Sequence, residues 1–138
     1  MKNNLPTILF IEDDMIERMK FSRVVGTLGF GNKIIEANNG EEALKLLEQK
    51  DNLPQLILLD LNMPRISGIE FLSILKRDET LRFIPTVVLT TSSNQRDLLE
   101  CFKIGIAGYI LKPLKYEEYV EKLSKVLSYW NVNELITV

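Results

Sequence analysis

Four sets of side chains capable of acid, metal or phosphoryl chemistry stand at the ends of short apolar runs. Glu12, Asp13 and Asp14 follow Ile8 to Ile11, Asp60 follows Leu56 to Leu59, Thr90, Thr91 and Ser92 end the run from Thr86, and Lys112 follows Gly108 to Leu111. Singly, each has an ordinary structural explanation. Carboxylates ahead of a helix are stabilised by its dipole, Asp60 suits a turn or cap, Thr90 suits a strand, and Lys112 suits a solvated surface. Gathered in one place they mean something else, because several carboxylates repel unless a cation or a shared proton intervenes. A hard divalent cation is the simplest resolution: Mg²⁺ takes carboxylate and carbonyl oxygens, keeps several waters and often engages phosphate. With a cation and Lys112 supplying positive charge, Asp60 has the make-up of a nucleophile that attacks a phosphoryl donor and becomes an aspartyl phosphate. Thr90 donating to one phosphoryl oxygen and Lys112 pairing with another would let both groups sense the modification.

For these residues to meet, distant stretches of chain must be brought to one rim, and the hydrophobic pattern provides the means. Five β-type runs, Thr7 to Ile11, Lys33 to Ala37, Gln55 to Leu59, Thr86 to Thr90 and Gly108 to Leu111, alternate with five helical patterns. Phe21, Val24, Val25 and Leu28 keep the spacing of one helix face, continued by Ala43, Leu44 and Leu47 in the second helix. Ser67 and Glu70 form a capping box that starts the third, the fourth rests on Leu98, Leu99 and Phe102, and Tyr119, Val120, Leu123, Val126, Leu127 and Trp130 line the fifth. Single helices between strands imply right-handed crossovers and a parallel sheet, with Leu56 to Leu59 and Val87 to Leu89 buried on both faces and Lys33 to Ala37 at an edge. The predicted fold is therefore α/β, a doubly wound, flavodoxin-like (βα)5 sheet in the order 2-1-3-4-5. Ligands in such sheets bind at the carboxyl ends beside the reversal between the first and third strands, which is where the reactive residues lie.

Composition narrows the chemistry further. The 138 residues suit one domain, with a core over 7–130 and a C-terminal segment over 131–138, too short for an output domain. Lys and Arg number 17 and Asp and Glu 19, so the net charge is 17 − 19 = −2, which disfavours direct DNA binding. The absence of histidine excludes a Ser/His/Asp triad, a histidine zinc ligand and an intrinsic phosphohistidine. Cys101, alone, forms no internal disulfide and reads as a small buried hydrophobe. The longest strand-like apolar runs fall far short of the ~18 residues of a membrane span, and the polar start after Met1 and Lys2 lacks a secretory h-region. A cytoplasmic protein that touches no membrane is the expectation.

From Ile8 to about Trp130 the chain resembles a response-regulator receiver domain. Ile8-Leu9-Phe10-Ile11-Glu12-Asp13-Asp14 resembles the family's first strand and acidic pair, so the resemblance implies Glu12 and Asp13 as metal ligands, with Asp14 accessory. Leu58-Leu59-Asp60-Leu61-Asn62-Met63-Pro64 with Gly68 resembles the phosphoacceptor segment, implying Asp60 as acceptor and metal ligand and Asn62 as a ligand through its backbone carbonyl. The segments around Thr90 and Lys112 resemble the remaining two motifs. By the same resemblance Thr90 and Tyr109 act as switch residues, Asn62 and Ser92 tune hydrolysis, and the Lys112–Pro113 bond is cis. Mg²⁺, or Mn²⁺, is the implied cofactor. Departures are Glu12 for the commoner Asp, Ser67 where Asp is frequent, and Thr91 in place of a small Ala.

The implied function is that of a phosphoacceptor in a two-component phosphorelay, not an enzyme beyond its own phosphorylation and slow dephosphorylation. A sensor histidine kinase or a phosphotransfer protein supplies the phosphoryl group, and modification of Asp60 switches the face of the fourth helix, fifth strand and fifth helix for a downstream protein target or a homodimer. Tyr116, Tyr129 and Trp130 are candidate docking aromatics, and a narrower likeness points to stand-alone regulators of chemotaxis type or those that partner phytochrome-type kinases. The chief rival is a receiver-shaped interaction module independent of phosphorylation. A haloacid-dehalogenase-type phosphatase would want Asp where Asn62 stands, and an FMN carrier would want a phosphate loop where Glu12, Asp13 and Asp14 stand.

Overall fold

The computed structural model describes residues 5–137. Residues 1–4 and Val138 lie outside the described residues, and with them the polar start at Met1 and Lys2 and the last position of the C-terminal segment. Strands and helices alternate: β1 Ile8–Ile11, α1 Met15–Leu28, β2 Ile34–Ala37, α2 Gly40–Glu48, β3 Leu56–Leu59, α3 Gly68–Arg77, β4 Thr86–Thr90, α4 Gln95–Ile104, β5 Gly108–Leu111 and α5 Tyr116–Asn131, with a 3₁₀ turn at Leu81–Phe83 before β4. The sheet is parallel throughout, in the order β2-β1-β3-β4-β5. Apart from the first residue of β1, β2 and β3, the strands lie where the apolar runs place them, and β2 is an edge.

Alternation along each strand divides the core in two. Leu9, Ile11, Ile57, Leu59 and Val88 pack on one face with Leu47 of α2, Phe71, Leu72 and Leu75 of α3 and Cys101 of α4. Ile8, Phe10, Leu56, Leu58, Val87 and Leu89 pack on the other with Phe21, Val24 and Val25 of α1 and Tyr119, Leu123 and Leu127 of α5. The three central strands are therefore buried on both sides, which is why their sequences are continuous apolar runs.

Local signals set the helix ends. Asp14, Asn39, Ser67 and Asn94 cap α1, α2, α3 and α4 by accepting backbone N–H groups, and the Ser67–Glu70 capping box is complete in both directions. Helix α4 departs from expectation: Leu99 and Phe102 face outward, 57% and 52% exposed, while Cys101 is fully buried with Leu98 partly so. A step of one residue turns ~100° about the helix, so the Leu98, Cys101 and Ile104 row faces the sheet and the bulkier pair faces away. Trp130 is half-buried against the α1–α5 side of the core, whereas Tyr129 is exposed.

Candidate functional site

The register aligns the strand ends. Ile11 of β1 lies opposite Leu59 of β3, the Asp60 N–H donates to the Ile11 carbonyl at 3.1 Å, and the Glu12 N–H donates to the Ala37 carbonyl at 3.1 Å. Glu12 and Asp60 thereby leave adjacent strands side by side, and Asp13 joins them: one carboxylate oxygen from each of the three comes within 4.8 Å of the others. Further along the sheet, the Lys112 N–H donates to the Thr90 carbonyl at 2.8 Å, extending the β4–β5 ladder by one residue. Glu12, Asp13, Asp60 and Lys112 border one open cleft of about 320 Å³, with Asn62 and Thr91 on its rim and Thr90 buried behind it. A larger groove between β2 and the end of α2, about 460 Å³, holds no such convergence of charges.

The cleft is held from below and from the side. The Lys112 Nζ donates to Glu12 Oε1 at 2.6 Å with both side chains almost wholly buried, so this lysine is a core cation and not a solvated one. Glu12 Oε2 accepts from the Asp14 N–H, and Asp14 Oδ1 in turn accepts from the N–H of Ile16 and of Glu17. Of the acidic run, Asp14 is thus the exposed helix cap, Glu12 the buried acid and Asp13 an exposed acid free of capping. Arg18 Nη1 donates to the carbonyls of Glu12 and Asp13 at 2.8 and 3.0 Å, locking the backbone that carries them. Thr90 is fully buried beside Asp60, Tyr109 is half-buried with its hydroxyl donating to the Ser92 carbonyl at 2.8 Å, and the Ser92 hydroxyl donates to Asp97 rather than into the cleft.

One expectation is corrected. The described residues contain no cis peptide bond, so Lys112–Pro113 is trans. Trans is the intrinsically favoured form before proline, and the four-carbon stem of Lys112 reaches Glu12 without a tightened turn. Two residues of the site went unnoticed in the sequence. Glu17 puts a carboxylate oxygen 3.5 Å from Lys112 Nζ, and Arg18 makes the two backbone bonds above. Their only sequence signal is position, one helical turn beyond the acidic run, where charged residues are commonplace.

Burial governs the charges. It pushes Glu12 up to about 7, against the lowering effect of Lys112. Burial also raises Asp60, while Lys112 and hydrogen bonds from the Asn62 backbone and the Thr90 side chain hold it back. For Lys112 burial acts downward, but the hydrogen bond to Glu12 and the charges of Glu12, Asp60 and Glu17 prevail and raise it. Three oxygen donors, each from a carboxylate and with excess negative charge, suit a hard divalent cation, so the residues fit the implied Mg²⁺ or Mn²⁺. In the metal-free protein at pH 8, Asp60→Asn is expected to raise the thermal midpoint by several degrees, at ~2–4 °C per kcal/mol for a chain of this size. A carboxyl raised on folding stabilises most below its unfolded value of 3.8 and loses that contribution as pH climbs through its folded value, so the advantage of Asn shrinks toward pH 4. Scanning calorimetry at the two pH values checks this, and equal midpoints at pH 8 would contradict it.

Comparison with known proteins shows the family and the fold. The response regulator receiver domain family matches residues 8–124. The probable methanogenesis regulatory protein FilR2 of Methanothrix harundinacea is 37% identical over 127 residues, covering 89% of this chain and 82% of that protein. The phosphorylated cyanobacterial phytochrome response regulator RcpA superposes with a TM-score of 0.88 at 28% identity, over 95% of this chain and 98% of that one. The Mn²⁺-bound form of the response regulator Rcp1, a Synechocystis protein, superposes with a TM-score of 0.87 at 29% identity, over 95% and 99% of the two chains.

Proposed function

The chain belongs to the response regulator receiver family of two-component signalling, and we propose that it is a reversible phosphate carrier in which Asp60 accepts the phosphoryl group and the chain's surface reports its presence. The observation that carries this reading is the meeting of Glu12, Asp13 and Asp60 within 4.8 Å beside a buried lysine, an arrangement of acids that structure alone does not require.

Glu12, Asp13 and Asp60 would hold the cation, joined by the Asn62 carbonyl on the cleft rim. A bound Mg²⁺ neutralises the carboxylates and the charge that develops on the phosphoryl oxygens. The chain's own residues do the rest. A carboxylate oxygen of Asp60 forms the new O–P bond as the donor's P–N bond breaks and its electron pair returns to the imidazole. Lys112 pairs with one phosphoryl oxygen and Thr90 donates to another, both at close range to Asp60. Since the chain has no histidine, the phosphohistidine would belong to a sensor kinase or a phosphotransfer protein, with which the chain would meet in the cytoplasm. Met15, Ile16 and Met19 at the start of α1 and Leu114 after β5 stand more than half exposed, apolar side chains on which such a donor would dock.

Output follows from the switch pair. Thr90 moving toward a phosphoryl group frees space into which Tyr109 turns, breaking its bond to the Ser92 carbonyl and reshaping the α4-β5-α5 face, where Leu99, Phe102 and Leu111 are exposed. That face would then bind a protein target or a second copy of the chain. A ten-fold shift in population needs ~1.4 kcal/mol, within reach of one charge-assisted hydrogen bond. Asn62, on the rim, is placed to influence hydrolytic water, and Ser92 acts there only if its bond to Asp97 opens.

Incubation with acetyl phosphate and Mg²⁺, followed by intact mass measurement, tests the central step. One phosphoryl adduct is expected on the wild type and none on Asp60→Asn. An adduct of equal yield on the variant would remove Asp60 from its role. Sedimentation with and without a beryllofluoride mimic would register dimer formation.

A further inference from the structure

One charged group of the cleft has no part in the chemistry above. Glu17, in the first turn of α1, holds its Oε1 3.5 Å from Lys112 Nζ, and that oxygen is buried yet accepts no hydrogen bond. Its other oxygen lies 4.0 Å from Lys20 Nζ, and Lys20 is itself seated 4.3 Å over the ring of the buried Tyr119. The carboxylate is therefore tethered on one side and unsatisfied on the other. Lys112, with three donors, makes its short bond to Glu12 Oε1, and Glu12 is also one of the three acids that converge on the cation position. One carboxylate is thus claimed twice, by the lysine in the resting protein and by the metal in the loaded one. A buried ammonium stripped of its partner is strongly unfavourable.

We propose that Glu17 is the second seat of the Lys112 ammonium: when a divalent cation draws Glu12 to itself, Lys112 shifts its bond to Glu17 Oε1. Glu17 is then a positioning residue that favours metal binding without ligating the metal, and its unsatisfied oxygen in the resting state is the vacancy that the lysine fills. The inference rests on the phosphoacceptor reading of the site and adds to it a residue outside the four motifs.

Mn²⁺ binding to the full chain, followed through the electron paramagnetic resonance signal of the free ion, separates the possibilities. Glu17→Gln is expected to weaken binding about ten-fold, equivalent to ~1.4 kcal/mol. Asp14→Asn removes one negative charge from the same cleft while keeping a capping oxygen for α1, and should weaken binding much less. Glu17→Asp, which keeps the charge, should recover part of the loss. In a Lys112→Met background there is no ammonium to reseat, so adding Glu17→Gln should change affinity by less than about two-fold, the scatter of non-interacting pairs. Equal losses from Glu17→Gln and Asp14→Asn, or an undiminished loss in the Lys112→Met background, would reduce Glu17 to a source of bulk charge and overturn the proposal. If the Lys112 variant does not fold, the comparison of Glu17→Gln with Asp14→Asn decides alone. Failure of the wild type to bind Mn²⁺ would instead overturn the phosphoacceptor reading itself.

Discussion

Replacing Lys112 by methionine is expected to cost the metal-free protein about 3 kcal/mol of stability at pH 8, the low end for breaking a buried ion pair. The wild-type amine is almost wholly buried and neutralises Glu12 at 2.6 Å, with Glu17 at 3.5 Å and Asp60 nearby. Methionine fills the space but leaves those carboxylates facing one another. The pH dependence follows from the acids. Lys112 is raised above its ordinary 10.5, so its own contribution persists throughout the neutral range and fades only in strong alkali. Glu12 sits at about 7 in the fold against 4.5 when unfolded, so below pH 5 it is protonated in the fold and has little charge for the lysine to balance. The penalty of Lys112→Met should therefore be small at pH 5 and grow through pH 7. Urea denaturation at pH 5 and pH 8 measures it directly, and a penalty independent of pH would show that Lys112 acts by packing alone. The same variant should lose phosphorylation of Asp60 by acetyl phosphate, since a cation that pairs with the phosphoryl oxygens is gone.

Gly68→Ala should be nearly as damaging, for a steric reason. A Cβ at Gly68 would lie 2.6 Å from Leu61 Cα and 2.7 Å from the Asp60 carbonyl oxygen, distances that real Cβ atoms do not tolerate, and both neighbours are backbone that cannot rotate away. The close approach is built in. The Leu61 carbonyl accepts from the N–H groups of both Met63 and Gly68, folding the β3–α3 connection back over the Asp60–Leu61 peptide, and the Ser67–Glu70 capping box starts α3 at that very point. Relief must come from moving either α3 or the end of β3, at about 2–3 kcal/mol for overpacking of this kind. Displacement of Asp60 by even ~1 Å relative to Glu12 and Lys112 is expected to slow phosphorylation about 100-fold. Stopped acetyl phosphate reactions analysed by intact mass, alongside thermal unfolding, test both halves. Wild-type rate and midpoint in Gly68→Ala would mean that the connection yields more easily than its backbone contacts imply.

Much of this was legible in the chain before folding because it depends on local periodicity. The continuous apolar runs of β1, β3 and β4 announce strands covered on both faces, and helix patterns between them force parallel crossovers and hence the common rim on which Glu12, Asp60, Thr90 and Lys112 meet. The cap at Ser67 was readable for the same reason, since its partner is three residues away. The outward turn of Leu99 and Phe102 in α4 is not legible in the sequence, because the one fully buried residue of the inward row is the small Cys101, and size is a poor guide to orientation when a helix buries so little.

The order of elements and the identity of the groups at the strand ends can be read from the chain alone, because both follow from side-chain spacing along a single segment. How those groups share charge emerges only once the chain is folded. The burial of Lys112, its division between Glu12 and Glu17, the bracing of the acidic loop by Arg18 and the fit of Gly68 on the Asp60–Leu61 backbone all arise between segments far apart in the chain or from the direction a side chain takes. Distances of a few ångströms set electrostatic and steric energies, and no spacing in a linear sequence specifies them.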